Sequence, residues 1–246
     1  MKAPQRKDNR IISTMNDRHL YSDTITQADI FSGLEEGELS HIFARGYKNA
    51  YPPGTILFHE GDPAATCYLV LTGRLKLTKL HEEGKEFLVR YVPPGQVAAA
   101  IALFAGKNYP VTAQVIDRAE IIGWDRNTMM NLLLSHPQLT VNMMRVVIER
   151  LEELQRRHLE LHAERAEQRI ARALLRIMNQ SGRKTEEGIL IDFRLSRQDL
   201  ANYTGTTLYT VSRTLSSWEK QGWIASGRER IVVIDPHALM LFAERD

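Results

Sequence analysis

The sequence predicts an α+β chain: an N-terminal antiparallel β domain, then a long amphipathic helix, then a small helical module with a strand pair. Three observations carry this reading. Short β-branched and aromatic runs alternate with turn glycines between Gly54 and Trp124. Apolar residues recur at alternating spacings of four and three from Thr140 to Leu161. Two helical stretches flank a glycine turn between Leu195 and Ala225. At 246 residues the chain has room for one large or two modest domains, each able to bury a core.

Taken in order, Met1 to Asp23 is polar and basic without periodicity, which predicts a loose extension over 1–23. The β domain is expected over 24–136. Its runs are TILFH, TCYLVLT, RLKLTKL, EFLVRYV and VTAQVI, and Gly61, Gly73, Gly84, Gly95 and Gly106 fall about every eleven residues, the rhythm of an all-β sandwich or barrel. Asp125 and the following NTMMNLLLSH predict a short helix.

Pro137 opens a longer helix, expected over 137–162, at a position where proline is tolerated. In it Thr140, Met144, Val147, Leu151, Leu154, His158 and Leu161 form a heptad seam. Such a seam argues for pairing with an identical helix. A second row, Leu139, Met143 and Val146, can pack on the β domain at the same time. His158 interrupts the seam with an imidazole, and reads as a polar position near the end of the pairing.

The last module is expected over 163–246. Ser196 caps its first short helix, with Asp199 three residues on to complete a capping box. Gly205 supplies the turn and Thr207 the next cap. Leu208, Val211, Leu215 and Trp218 then predict one buried stripe, leaving Tyr209, Ser212, Arg213, Ser216 and Lys220 outside. That is the pattern of a helix-turn-helix, which can bring Tyr209 and Arg213 to base edges in a major groove. A structural helical hairpin shares the pattern.

Composition narrows the partners. A net charge of +2 is too small for a non-specific nucleic-acid binder, so any DNA contact must come from charge placed locally. Arg165, Arg169, Arg172, Arg176, Arg197 and Arg213 belong to such a basic concentration in the last third. The single cysteine, Cys67, excludes an internal disulfide and an all-cysteine iron–sulfur cluster from one chain. No apolar run has membrane-spanning length and no secretory pattern is present, so a soluble cytoplasmic protein with no membrane partner is expected. A cupin enzyme shares the β rhythm, but His59 and His81 stand alone on separate runs, so no enzyme is expected.

The phrase TGTTLYTVSRTLSSWEKQGWI resembles the recognition helix of the CRP/FNR family of bacterial regulators, and Gly227 to Asp235 falls where that family has its wing. The resemblance runs from about Ile30 to the C-terminus. It implies a cyclic-nucleotide-binding-like β-roll, a dimerisation helix and a winged helix-turn-helix. It also implies a homodimer on palindromic double-stranded DNA, and contact with RNA polymerase through segments matching Ser181 to Gly188 and His81 to Lys85. On that frame Arg213 reads a guanine, and Arg197, Thr206, Thr207 and Ser212 meet phosphate or the groove edge. Tyr209 stands where FNR-type helices carry glutamate, so the half-site is expected to differ at one base pair.

The resemblance also bears on the effector. Cyclic-AMP-binding members carry a glycine and glutamate before an LF pair, and an arginine with serine or threonine ten residues beyond that glutamate. Aligned on Leu103 and Phe104, this chain has Ala99 and Ala100, then Pro110 and Val111. With Ile101, these residues make an apolar candidate effector pocket that has lost the phosphate's charged partner, so cyclic AMP is not expected. NYPVTAQV and TTLYTVSR resemble the Dnr and NnrR branch, which implies an activator responding to nitric oxide in denitrification. The cofactor stays open: haem is compatible, and no residue is assigned as metal ligand. A regulatory protein with another small effector, or an effector-independent regulator, is the alternative.

Overall fold

A computed structural model describes residues 10–11, 24–25, 28–80, 86–227 and 229–244. The chain divides into two compact units, Met1–Leu80 with Val89–Glu152, and His81–Leu88 with Glu153–Asp246. Each is described by itself.

The first unit is a roll of two antiparallel sheets with short helices. In chain order its elements are β1 Arg10–Ile11, α1 Glu36–Ala44, β2 Tyr47–Tyr51, β3 Ile56–Phe58, β4 Thr66–Thr72, β5 Leu75–Leu80, β6 Glu86–Val92, β7 Val97–Ala98, α2 Ala100–Ala105, β8 Thr112–Val115, β9 Ala119–Asp125 and α3 Arg126–Ser135. One sheet has the order β1-β2-β9-β4-β7, the other β3-β8-β5-β6.

Strand β4 shows why the sequence runs are continuous rather than alternating. Cys67, Leu69 and Leu71 face a core shared with the helices, where Ile42, Phe43, Leu132 and Leu139 lie. Tyr68 and Val70 face the inside of the roll, among Phe58, Leu75, Val92 and Tyr109. A strand covered on both faces has no polar face to show, so apolar residues fill every position. Strand β9 follows the same rule, with Ile122 and Trp124 toward the helices and Ile121 inside. It lies between β2 and β4, opposite Tyr47 through Gly123 and opposite Cys67 through Trp124. A side chain at Gly123 would run into the Tyr47 ring.

Strands β2, β7 and β9 are absent from the sequence-based runs, because β7 is two residues long and a glycine interrupts β9. Most of 1–23 lies outside the described residues. Of the segment expected as a loose extension, Arg10 and Ile11 are described, and they pair with Lys48 and Tyr47. Gly84 also lies outside the described residues, whereas Gly61, Gly73, Gly95 and Gly106 all take positive φ at turns. At Gly73 a Cβ would meet the backbone of Arg118 and Ala119, so only glycine fits that turn.

Helix α3 is capped by Asp125, whose carboxylate accepts from the Thr128 amide at 3.0 Å. Helix α4, Pro137–Ala163, follows at once. Its row Leu139 and Met143 is buried in the roll-side core, as expected, with Val146 half-buried. Buried Asn142 donates to the carbonyls of Ile30 and Ser32 and ties the helix down. The Trp124 indole donates to the Ile42 carbonyl at 2.9 Å and fixes α1 on the sheet.

The second unit begins its packed module at α5 Ala166–Ser181. There follow β10 Gly182–Thr185, β11 Gly188–Ile191, α6 Arg197–Thr204, α7 Leu208–Lys220, β12 Ile224–Gly227, β13 Arg230–Val233 and α8 Pro236–Ala243. The four strands form one antiparallel sheet, order β10-β11-β13-β12. Its core gathers Ile170, Leu174, Leu200, Val211, Leu215, Trp218 and Val232, all buried. The segment Ser181 to Gly188 contains strand β10 and the turn at Glu186 and Glu187 that leads into β11.

Candidate nucleic-acid interface

Local chemistry places the two helices of the turn motif. The Ser196 hydroxyl accepts from the Asp199 amide at 3.0 Å and donates to the Asp199 carboxylate at 2.7 Å, which starts α6. The helix ends at Gly205, held at φ 62°, where an L side chain is strained. Thr207 then caps α7, accepting from the Thr210 amide at 3.1 Å. A bond between the Thr207 and Thr210 hydroxyls, 2.9 Å, reinforces that first turn.

Helix α7 is two-sided. Val211, Thr214, Leu215 and Trp218 are buried, and Trp218 packs edge-on against Phe242 at 5.5 Å between ring centroids. Tyr209 is 74% exposed, and Arg213 is exposed beside half-buried Ser212. Leu208 corrects the expected stripe: it is 46% exposed, because it stands at the first helical position, beyond the reach of the core below. Ser216 is half-buried and Ser217 exposed, so the outer face is rotated slightly from the one expected.

Two of the expected DNA-contacting arginines already have partners. Arg213 pairs with Glu167 of α5 at 3.1 Å, with the side chains 63% and 33% exposed. An ion pair that open to water exchanges readily for another anion. Arg197 donates to the Ser226 hydroxyl at 3.1 Å, and Ser226 donates from its hydroxyl and amide to Glu219 at 2.6 and 2.8 Å. Arg197 thus braces the strand pair that forms the wing against α7, and its expected phosphate contact must share this brace. Thr206 is half-buried.

Other arginines in the basic concentration are committed inside the unit. Arg169 donates to the carbonyls of Thr204 at 2.9 Å, Gly205 at 3.3 Å and Glu164 at 2.7 Å. It therefore satisfies the carbonyl end of α6 at the turn itself. Arg172 pairs with Glu164 at 2.7 Å and donates to the Ala243 carbonyl. Arg176 pairs with Glu160 at 2.6 Å, with the side chains 17% and 7% exposed. Arg157 lies 4.2 Å from the centre of the Tyr203 ring. The sequence signal available for these roles was spacing: Arg169, Arg172 and Arg176 share one face of α5.

The proposed effector segment divides between two cores. Ala100 and Leu103 are buried toward the helices, while Ala99 and Val111 pack against the roll interior. Ile101 is 54% exposed and Pro110 is exposed, which corrects their placement in a common apolar pocket. The side chain of Phe104 lies outside the described residues. Ala99 sits at φ 68°, in the left-handed region that favours glycine. Inside the roll Phe58 and Tyr109 stack at 3.9 Å, and the Tyr109 hydroxyl donates to the Thr66 carbonyl at 2.8 Å. Cys67 is fully buried, and burial pushes its thiol up to about 12.

Comparison with known proteins agrees with this architecture. Residues 48–136 match the model of the cyclic nucleotide-binding domain, and residues 168–242 match the Crp-like helix-turn-helix domain. Transcriptional activator protein Anr of Pseudomonas protegens is 29% identical over 208 residues, covering 83% of each chain. The CRP-like cAMP-activated global transcriptional regulator of Mycobacterium tuberculosis is 21% identical, over 88% of this chain and 97% of the relative. FixK2 of Bradyrhizobium japonicum superposes with a TM-score of 0.71 at 24% identity, covering 82% of this chain and 98% of its own. A cyclic-nucleotide-binding roll joined to a helix-turn-helix defines a DNA-binding transcription regulator. The chain belongs to the CRP/FNR family of such regulators. Among the described residues no helix is long and apolar enough to cross a membrane.

Proposed function

We propose that this regulator works in the cytoplasm as a homodimer on a palindromic site, and activates transcription in response to a signal other than cyclic AMP. The observation that carries the DNA reading is α7, whose buried stripe locks it into its own unit while Tyr209 and Arg213 stand exposed at its N-terminal half. Arg213 pairs with a guanine, and Thr206, Thr207 and Ser212 meet the backbone or groove edge. Support for pairing is the exposed seam of α4: Met144, Leu151, Leu154 and Leu161 are each at least half exposed in one chain. A row of that kind is stable in water when a second copy covers it. The hairpin turn Glu186 and Glu187 is the surface offered to RNA polymerase; the matching segment His81 to Lys85 lies outside the described residues.

The effector reading rests on Ala99, Ala100, Pro110 and Val111, none of which has a side chain that can pair with a nucleotide phosphate. Nitric oxide is the effector that the sequence resemblance supports. What the roll offers a cofactor such as haem is Phe58, Tyr68 and Tyr109 in its interior, a buried Cys67 whose thiol is pushed up to about 12, and an exposed His59. The test measures affinity for a palindromic duplex, and melting temperature, with cyclic AMP and with nitric oxide. Millimolar cyclic AMP is expected to change neither, since any ligand favouring the folded form raises stability by mass action. Nitric oxide is expected to raise DNA affinity. Saturable activation by cyclic AMP, or indifference to nitric oxide, overturns the respective part.

A further inference from the structure

We propose a divalent transition-metal site on the dimer axis, built from His158 and His162 of each of two copies, with Zn2+ as the ion it suits. The inference rests on the homodimer reading above.

The two histidines stand one turn apart on α4, in the stretch His158, Leu159, Glu160, Leu161, His162. Their rings meet edge to face with centroids 4.6 Å apart, and both residues are exposed. Imidazoles at this spacing share one helix face and can grip a single ion. A tetrahedral Zn2+ with nitrogen ligands at 2.0–2.1 Å needs donors about 3.3 Å apart, which rings this close reach by small rotations.

The neighbouring charges leave this face to the histidines. Glu160 turns the other way into its pair with Arg176, and Glu164 is taken by Arg172. Arg157 lies over the Tyr203 ring. Glu160 is buried, and the Glu164 oxygen that Arg172 does not hold is buried as well, so neither carboxylate is presented to solvent with the exposed histidines. Consistent with that, the described residues of one chain hold no group of three or more His, Cys, Asp or Glu able to bind a metal. One chain therefore offers half a coordination sphere.

The seam explains where the other half comes from. His158 continues the row of Leu151 and Leu154, and Leu161 follows it. In a parallel pair, residues of that row face their own copies across the axis. Without a ligand, two imidazoles meeting there weaken an otherwise apolar interface. With one ion, His158 and His162 from both copies complete four nitrogen ligands, a set that imidazole-preferring ions such as Zn2+ accept. The ion then clamps the seam immediately before the module that starts at Ala166.

The experiment uses the full chain stripped with EDTA, titrated with Zn2+ while mass is followed by light scattering. Co2+ is added separately, and its visible spectrum reports tetrahedral geometry. One ion per two chains, a tetrahedral Co2+ spectrum, and a loss of affinity on the order of a hundredfold in His158→Ala and in His162→Ala are expected. Both substitutions lie on an exposed face, and unchanged melting of the metal-free variants confirms that they fold. A dimer that appears only with Zn2+ supports the site equally. A dimer in EDTA that binds no ion, binds one ion per chain, or keeps its affinity in both variants overturns the metal site and leaves the dimer standing. A chain that is monomeric with and without Zn2+ overturns the dimer reading and the site with it.

Discussion

The ion pair between Arg213 and Glu167 makes a quantitative prediction about DNA recognition. To contact a guanine, Arg213 must leave Glu167, so whatever that pair contributes in free protein is subtracted from binding. At 3.1 Å but with 63% and 33% of the side chains exposed, water screens it, and its worth is at most about 1 kcal/mol. Glu167→Gln removes the competitor and keeps the side-chain shape. It should tighten specific binding by up to about fivefold per half-site, and so up to about 25-fold for the dimer on the palindrome, since 1.4 kcal/mol is a factor of ten. Arg213→Ala should cost about 1–3 kcal/mol and relax the preference at one guanine per half-site. The gain from Glu167→Gln should then vanish in the Arg213→Ala background, because the freed partner is gone. Fluorescence anisotropy with the palindrome, its guanine-substituted variant and a random duplex, at two salt concentrations, measures all corners of this cycle. An equal gain in both backgrounds would mean that Glu167 merely repels phosphate, and the assignment of Arg213 as the guanine reader would lose its support.

Three further outcomes are expected. Leu154→Asp places a charge in the exposed α4 seam and should give monomers with weak DNA binding; a dimeric variant by light scattering would move the contact elsewhere. Ala99→Gly should raise stability by roughly 0.5–1 kcal/mol, because relief of about 1–2 kcal/mol of left-handed strain outweighs the added freedom of the unfolded chain. Thermal or urea unfolding reads this, and an unchanged or lower midpoint would show that position 99 stores no strain. Cys67, with its thiol pushed up to about 12, should be only about one ten-thousandth thiolate at pH 8 and inert to thiol reagents until the chain is denatured. Rapid labelling of the native protein would contradict its burial.

The elements that could be read locally were those whose signal lies within a few residues of chain. Strands β4 and β6 coincide with the runs TCYLVLT and EFLVRYV, and α4 begins at Pro137 as its position demands. Ser196, Gly205 and Thr207 mark the ends of the two recognition helices because caps and turns are chemistry of neighbouring residues. The buried row and the exposed seam of α4 also followed from periodicity, since both faces are written into one helix.

Partnership across the chain was not written there. Arg169, Arg172 and Arg176 counted as basic residues available to DNA, yet the fold sets Arg169 against the Thr204 carbonyl, Arg172 against the Ala243 carbonyl and Arg176 against the Glu160 carboxylate. Leu208 fitted the apolar spacing but stands too near the helix start to reach the core, and Ile101 turns outward beside buried Leu103. Charge and hydropathy are properties of a residue type, and periodicity records only which face of one element is covered. What covers that face, and which cation is left for a ligand, is decided when distant segments close on one another: the sequence alone determined the kind of protein and its local elements, and the tertiary structure decided which side chains are left to meet DNA.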